Sequence, residues 1–196
     1  MNKKLLYLLL LLPVLSFAAK QGDLEKLIQL QQSQSTMHLD LSNADLRTYP
    51  FIPGKIDLQQ ANLSHSNLSN VNLSKMNLSG ANLSYADLSH ATLNQTILIG
   101  ANLEHANLSG AQLLQSNLSG ANLAFAVLVD ANLENAILSK ANLSCANLDR
   151  ANLSKSTFTE ASIGGASFIN TITTDIAGYD SVVDRYASCD AEKPSE

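Results

Sequence analysis

Large aromatic side chains are scarce in this sequence. It has no tryptophan, and phenylalanine and tyrosine make up 5% of its 196 residues. Leucine, alanine, asparagine and serine dominate instead. This composition is far from the average of globular proteins, so a conventional mixed core is not expected. We expect an interior built from small and medium-sized aliphatic side chains.

Strong charge of either sign is also missing. The formal net charge is −5, and residues 56–170 contain seven acidic and four basic side chains. A nucleic-acid-binding surface needs clustered lysine and arginine to neutralise phosphates. A mild and dispersed negative charge instead favours solubility. We therefore expect no nucleic-acid partner.

Long hydrophobic runs are confined to the N-terminus. Lys3 and Lys4 precede an apolar run over 5–15, and Ala18 offers the small residue that a signal peptidase reads. A run of about 11 residues is short of the roughly 20 that span a bilayer, so a cleaved signal peptide over 1–18 is favoured over an uncleaved anchor. Cleavage after Ala19 is the alternative site. We predict an exported bacterial protein, periplasmic or secreted, with no membrane segment after cleavage.

The most abundant feature of the sequence is a five-residue repeat, and each copy of it is called a phrase. From Ile56 to Asn170 the phrase occurs 23 times without a gap, and its central residue is leucine in the first 20 copies. Alanine usually stands two residues before the leucine, and asparagine stands between them in 13 copies. Serine often follows the leucine, and the fifth residue varies.

A period of five residues fits neither one helix nor one strand. Five residues advance about 140° past a full helical turn, so the leucines would scatter around a helix. In a strand, alanine and leucine share a face, but the next alanine is an odd step away and would point to the other face. The chain must therefore turn after each leucine, where serine followed by glycine, asparagine or lysine suits a turn. A coil that buries alanine and leucine and is stabilised by stacking satisfies this pattern.

The phrase resembles the A-(D/N)-L-x-x motif of the pentapeptide-repeat family, as in "ANLSCANLDRANLSK" at 141–155. This resemblance implies an all-β fold, a right-handed quadrilateral β-helix with four phrases in each coil. Handedness and the number of sides follow from the resemblance alone. The repeat β-helix is predicted over 56–170.

Three imperfect phrases precede the regular region, within residues 39–55. Their centres are Leu41, Leu46 and Phe51, and the next centre, Leu58, follows after seven residues instead of five. The two extra residues predict a bulged corner or a short loop that shifts the phase of the coil.

Both ends of the coil need a cover, because open strand edges invite aggregation. In segment 19–38, Leu24, Leu27 and Ile28 have helical spacing, which predicts a short N-terminal capping helix. Residues 171–196 are predicted to form a C-terminal cap and a flexible tail.

If each coil has 20 residues, side chains 20 positions apart form columns. One outward column is His65, Tyr85, His105 and Phe125, followed by Cys145. Aromatic side chains on a polar wall are the predicted partner-binding surface. The alternative is that the rings stack between coils, add stability and recognise nothing.

The two cysteines, Cys145 and Cys189, could form a disulfide that pins the tail to the coil in an oxidising compartment. Two free thiols are the equal alternative, because pairing depends on geometry.

The sequence predicts no catalytic, cofactor or metal site. His65 and His105 would lie two coils apart, about 10 Å at the strand spacing, which is too far to share a zinc ion. The scattered serines, histidines and acids suggest no concave site. Outward apolar residues such as Ile97, Val127 and Ile137 fall on different sides of the coil.

The favoured function is therefore an exported, non-enzymatic structural or protein-interaction module that presents flat walls to an unidentified protein partner. The alternative comes from the family resemblance, which includes DNA-mimicking proteins that bind topoisomerases such as gyrase. The sparse charge of the repeat region and the predicted export both disfavour this alternative.

Overall fold

The computed structural model describes residues 39–179 and residue 189. The predicted signal peptide, the predicted capping helix in 19–38 and most of the predicted C-terminal cap lie outside these residues. Within the described residues there is no α-helix and no extended strand, because strand pairing occurs through single residues separated by corners. Accordingly, none of the described residues belongs to a helix that could cross a bilayer.

The chain winds into a coil with four walls. From residue 62 onward, each paired residue bridges in parallel to the residue 20 positions later, and four phrases fill that interval. We number the walls by their bridging residues. Wall 1 carries Asp40, Asn62, Asn82, Asn102, Asn122, Asn142 and Ser162. Wall 2 carries Asp45, Asn67, Asp87, Asn107, Val127, Asn147 and Ser167. Wall 3 carries Asn72, Thr92, Gln112, Asn132, Asn152 and Ile172. Wall 4 carries Asn77, Ile97, Asn117, Ile137, Thr157 and Ala177.

Each corner is a tight turn that closes with a backbone hydrogen bond. The N–H of Ala81 donates to the carbonyl of Leu78 at 3.0 Å, and the same bond recurs phrase after phrase. Every fifth residue from Gln60 to Asp175 has a positive φ between 56° and 70°. A positive φ at the third of four turn residues alone is the signature of a type II turn. The turn predicted after each leucine is therefore present.

Stacked coils hold one another through the backbone. The N–H of Leu83 donates to the carbonyl of Asn102 in the next coil at 2.6 Å, and the N–H of Asn82 donates to Ala61 in the preceding coil at 2.9 Å. The N–H of the corner residue Tyr85 donates to Glu104 at 2.9 Å. Three of the five backbone donors in a phrase thus bind a neighbouring coil, and seven coils of wall 1 give an axis of roughly 29 Å at the usual strand spacing.

The asparagine of the phrase accepts the remaining backbone donor. In wall 1 the N–H of Ser84 donates to Oδ1 of Asn82 at 3.2 Å, and the equivalent bond from Ser154 to Asn152 is 3.0 Å. Together with the turn and intercoil bonds, this contact gives each backbone N–H of the phrase a partner. Unpaired backbone groups are costly when buried, so asparagine between alanine and leucine has a structural cause.

Alanine and leucine fill the interior from one end of the coil to the other. Leu83, Leu103 and Leu123 are 0% exposed, and so are Ala81 and Ala101. A single coil could not bury these side chains without a neighbour on each side, so the coil is stabilised by stacking.

The coil starts irregularly. Asp40 bridges to Asn62 and Asp45 to Asn67, which are 22 residues apart instead of 20. The two additional residues lie in the loop between Phe51 and Leu58, and Leu41 and Leu46 are nevertheless buried at 1% exposure. An inserted loop therefore shifts the register without removing the first phrases from the core.

The coil ends with larger apolar side chains. Phe158 is buried at 1% exposure, whereas Ile169 and Ile172 are 63% and 52% exposed in the last coil. Phe168 and Ile163 pack partly against the core. The final coil is thus packed differently from the alanine–leucine coils above it.

Candidate functional site

Four aromatic rings form one continuous stack at the corner between walls 1 and 2. His65 stacks on Tyr85, Tyr85 on His105, and His105 on Phe125, with ring centroids 4.9, 4.7 and 4.8 Å apart. The planes of successive rings differ by only 5° to 10°. We call these four residues the aromatic column. The coil sets their spacing, since it equals the distance between stacked strands.

In the stack the faces of the inner rings contact their neighbours, and the ring edges point outward. Tyr85 is 52% exposed, whereas His105 and Phe125 are half-buried between their neighbours. An aromatic face carries negative and an edge positive electrostatic potential. A partner at this corner would therefore meet ring edges, together with the polar atoms of Tyr85 and the two histidines. The sequence left two interpretations of the column, partner binding and stabilisation by stacking. Both remain, because stacking stabilises the coil and the ring edges stay accessible.

The column continues into a disulfide. Cys145 occupies the corner below Phe125 and is bonded to Cys189, 44 residues later, with Cα atoms 5.6 Å apart. The sulfur of Cys189 also lies 3.4 Å from the carbonyl oxygen of Gly165, one coil further down. The C-terminal segment is thereby attached to the coil at the lower end of the aromatic column.

The neighbouring wall 1 is a ladder of asparagine amides. Nδ2 of Asn142 donates to Oδ1 of Asn122 at 3.1 Å, and Nδ2 of Asn122 donates to Asn102 at 3.2 Å. The series ends at Asp40, whose carboxylate accepts from Asn62 at 3.2 Å. These amides are occupied by one another, so the structure assigns wall 1 a stabilising role.

The arrangement does not bring metal-binding side chains together. The ring of Tyr85 lies between His65 and His105, and the described residues contain no cluster of three or more histidine, cysteine or acidic side chains that could hold a metal ion. An open groove of about 400 Å³ lies beside the N-terminal loop, bordered by Lys55 and Lys75. It contains none of the residues of the aromatic column.

Charged side chains form isolated surface pairs. Arg150 binds Asp130 with two hydrogen bonds of 2.8 Å, one coil apart on the corner between walls 2 and 3. Donation from Arg150 lowers the pKa of the Asp130 carboxyl below its usual value. Both side chains are more than half exposed, and such pairs add little to stability. They do not form a charged surface of one sign.

Sequence reasoning missed one group of residues. Ile97, Ile99 and Ile137 lie on wall 4 with exposed fractions of 38%, 45% and 41%. From the sequence, Ile97 and Ile137 are grouped with outward apolar residues on other sides of the coil. Sorting them by position modulo 20 would have placed all three on one wall.

The family comparison agrees with the coil. A family model described as pentapeptide repeats matches residues 56–95, 86–123, 96–135, 116–154 and 136–172. Among curated proteins, none matches the chain.

Several solved structures are similar. A pentapeptide repeat protein from Nostoc PCC 7120 is 35% identical, over 48% of this chain and 70% of that protein, with a TM-score of 0.33. HetL, a pentapeptide repeat protein involved in heterocyst differentiation regulation in Nostoc sp. strain PCC 7120, is 26% identical, over 74% and 89% of the two chains, with a TM-score of 0.21. The plasmid-mediated fluoroquinolone resistance protein QnrB1 is 20% identical over 61% of this chain, with a TM-score of 0.31. The chain spans 66% of the length of that QnrB1 structure.

Proposed function

This chain belongs to the pentapeptide-repeat family, and from that premise we propose that it is a non-enzymatic module that docks a protein partner on the side carrying the aromatic column. Members of this family are right-handed quadrilateral β-helices and generally serve as structural or interaction modules. The coil offers rigid walls and a variable outer residue at every corner, which suits recognition along one side.

The aromatic column is the observation that supports this surface. Tyrosine and other aromatic side chains contribute much of the binding energy at protein interfaces. Here the stack holds Tyr85, His105 and Phe125 in fixed positions, so docking would cost little side-chain entropy. The ring edges and the hydroxyl of Tyr85 would contact aromatic faces and hydrogen-bonding groups of the partner.

Export is the second part of the proposal. Disulfides persist mainly in oxidising compartments, and the bond between Cys145 and Cys189 suits the periplasm or the outside of the cell. The basic and apolar N-terminus supports the same localisation. Fractionation with mass spectrometry of the mature N-terminus tests it. A cytoplasmic protein that begins at Met1 would contradict export.

A pull-down from the cell envelope tests docking. The double variant Tyr85→Ser/Phe125→Ser should recover less of a specific protein than the wild type does. The matched control is Lys75→Ser/Gln115→Ser, which changes corner residues on the opposite edge of the coil. A protein recovered in this pattern should then bind the purified wild type directly and bind the aromatic variant at least tenfold more weakly. Equal binding by the aromatic variant would refute the surface.

Gyrase binding is the competing outcome. It would require a DNA-like density of negative charge, whereas residues 56–170 carry seven acidic and four basic side chains. Direct binding to purified gyrase, with inhibition of supercoiling, would favour that function over the proposed one.

A further inference from the structure

A loop in the first coil leaves the ladder of backbone hydrogen bonds. Asn72 and Asn77 in the second coil bridge to the coil that follows them, but neither bridges to the first coil. Among residues 39–179, the backbone groups of residues 51–58 make no hydrogen bond to the second coil. Both bridges of the first coil lie on walls 1 and 2. The loop therefore spans walls 3 and 4 without being held to the coil beside it.

The loop of residues 52–57 is also exposed at its tip. All of its first four residues are exposed, and Ile52 is 52% exposed. There is open space where a side chain of Gly54 would lie. The open groove of about 400 Å³ is lined both by this loop and by residues 75–77 of the second coil. The loop contains one internal backbone hydrogen bond, from the N–H of Lys55 to Ile52 at 3.0 Å. Exposed loop tips of this kind are where proteases nick folded proteins.

Lys55 differs in its backbone from the basic residues of the regular coils, which are Lys75, Lys140, Arg150 and Lys155. Each of these four stands at a corner, and its N–H donates to a carbonyl of the next coil at 2.8 to 3.0 Å. The residue after each is buried, and its N–H closes the corner turn. Proteolysis of a folded protein follows the population of the locally opened form. Cleavage at a corner requires the coils to separate, whereas cleavage after Lys55 requires only its own turn to open.

Arg47, the other basic residue of the first coil, is held in place. Its guanidinium pairs with the carboxylate of Asp45 at 2.7 Å. The turn that contains it closes through the N–H of Tyr49 and the carbonyl of Leu46 at 3.0 Å. Wall 2 is also bridged to the second coil on this stretch. Among the basic residues of the described chain, Lys55 therefore has the peptide bond that the coil restrains least.

We propose that the loop of residues 52–57 is a processing site, at which an endoprotease specific for basic residues cleaves the bond between Lys55 and Ile56. Among the described residues the ammonium of Lys55 has no ion-pair partner, so it can enter the acidic pocket that selects basic side chains in such proteases. The step is hydrolysis of one peptide bond. Water adds across it, the carbonyl of Lys55 becomes a carboxylate, and the nitrogen of Ile56 becomes an ammonium group.

This bond lies between two parts of the chain that are bonded differently. From residue 61 onward each coil is bridged to the next on all four walls, whereas the first coil is bridged on two. Cleavage would leave the first coil held to the repeat by the hydrogen bonds and packing of walls 1 and 2, without a covalent bond. The aromatic column begins at His65 and lies wholly in the larger part, so this proposal does not depend on the proposed function.

Limited digestion with trypsin of protein purified from cells expressing the full chain tests the accessibility of the site. Mass spectrometry should show a new N-terminus at Ile56 forming at least tenfold faster than one at Met76, and the fragment beginning at Ile56 should persist. Lys55→Gln should abolish this cleavage. The control is Lys75→Gln, which changes the other lysine of the same groove and should leave the cleavage after Lys55 unchanged. Cleavage after Lys75 as fast as after Lys55 would overturn the proposal.

A deletion separates the effect of the loop from that of the lysine. Removing Pro53 and Gly54 restores the five-residue spacing before Leu58 and places Lys55 at a regular corner. Its N–H could then donate to the carbonyl of Ser74 in the second coil, as the N–H groups of other corner residues do. The variant keeps the lysine and should be cleaved after it at least tenfold more slowly than the wild type. Equal rates would show that the loop is not the cause.

Moving the lysine within the loop is a second test that leaves the length of the coil unchanged. Pro53→Lys/Lys55→Gln should restore rapid cleavage, now after position 53. The control is Ser74→Lys/Lys75→Gln, which moves a lysine by one position within a bonded corner and should remain slow. If the first double variant is as resistant as Lys55→Gln alone, the loop does not determine cleavage and the site is wrong.

The final test is made in the cells that produce the protein naturally. Mass spectrometry of the wild-type chain should find a form that begins at Ile56, and a strain carrying Lys55→Gln should lack it. Lys75→Gln should retain it. If the wild type yields no such form, or Lys55→Gln still yields it, the loop is not a processing site.

Discussion

Single residues decide how the phrase satisfies its polar groups. Asparagine before the leucine accepts the backbone N–H two residues later, as Asn82 does from Ser84. Where the asparagine is replaced, another acceptor sometimes substitutes. The N–H of Leu114 donates to Asn94 of the preceding coil at 3.0 Å, because Gln112 does not supply that bond. The repeat thus tolerates substitutions that keep an acceptor nearby.

Two buried serines at the alanine position of wall 4 allow a matched test. Ser116 and Ser156 are both 0% exposed. The hydroxyl of Ser156 donates to the carbonyl of Leu153 at 2.6 Å, whereas the described residues offer the hydroxyl of Ser116 no partner. Ser156→Ala should lower the free energy of unfolding by about 1 kcal/mol, and Ser116→Ala should raise it by up to about 1 kcal/mol. Urea denaturation measures both, and equal losses would contradict the difference.

At the scale of the element, the corner carries a conformational cost. Most residues with positive φ are not glycine; they include Tyr85, Phe125 and Lys155. Each L-residue in this region costs roughly 1 kcal/mol. The corner persists because its N–H and the bonds around it hold the coils together, so the stack offsets a cost that is repeated at nearly every corner.

Two glycine corners differ in what surrounds them. Gly110 and Gly100 have φ values of 67° and 63°, but a Cβ on Gly110 would lie 2.5 Å from Nδ1 of His90, whereas Gly100 faces open space. Gly110→Ala should therefore lower the free energy of unfolding by about 1 kcal/mol more than Gly100→Ala, since His90 must move. Thermal or urea unfolding measures the two variants. The difference should vanish in a His90→Ala background, and its persistence there would show that the ring is not the cause.

At the scale of the whole molecule, each coil touches only its neighbours. Stability is then approximately a sum of coil and interface contributions, and the ends are the weakest parts. The disulfide joins Cys189 to Cys145, which lies inside the repeat. The coils between these two residues are therefore held at both ends.

Removing this disulfide should destabilise the C-terminal coils selectively. Cys189→Ser releases a crosslink with a sequence separation of 44, and a loop of that length is worth about 2–4 kcal/mol. Amide hydrogen exchange should accelerate in residues 160–179 and stay unchanged near Leu83. Cys145→Ser/Cys189→Ser should behave like the single variant. Uniform acceleration along the coil would show that the disulfide stabilises the molecule globally instead.

The sequence by itself determined the coil. Leucines five residues apart can share an interior only if the chain turns after each of them, and this reasoning located the corners and the buried leucines without coordinates. It also located the two extra residues before Leu58, because they interrupt the period. The repeat alone is enough to predict these features, since every coil makes the same contacts. The aromatic column also required a coil of 20 residues, which the family resemblance implied.

Only the tertiary structure decided what depends on contacts between coils. The parallel stacking of the His65 and Tyr85 rings depends on which side chains lie one coil apart. The bond between Cys145 and Cys189 depends on where the C-terminal segment places Cys189. A period of five fixes the position of a residue within its phrase, but the number of phrases in a coil fixes its neighbours. That number follows from the turn geometry and the width of the packed interior, which the five-residue pattern alone does not specify.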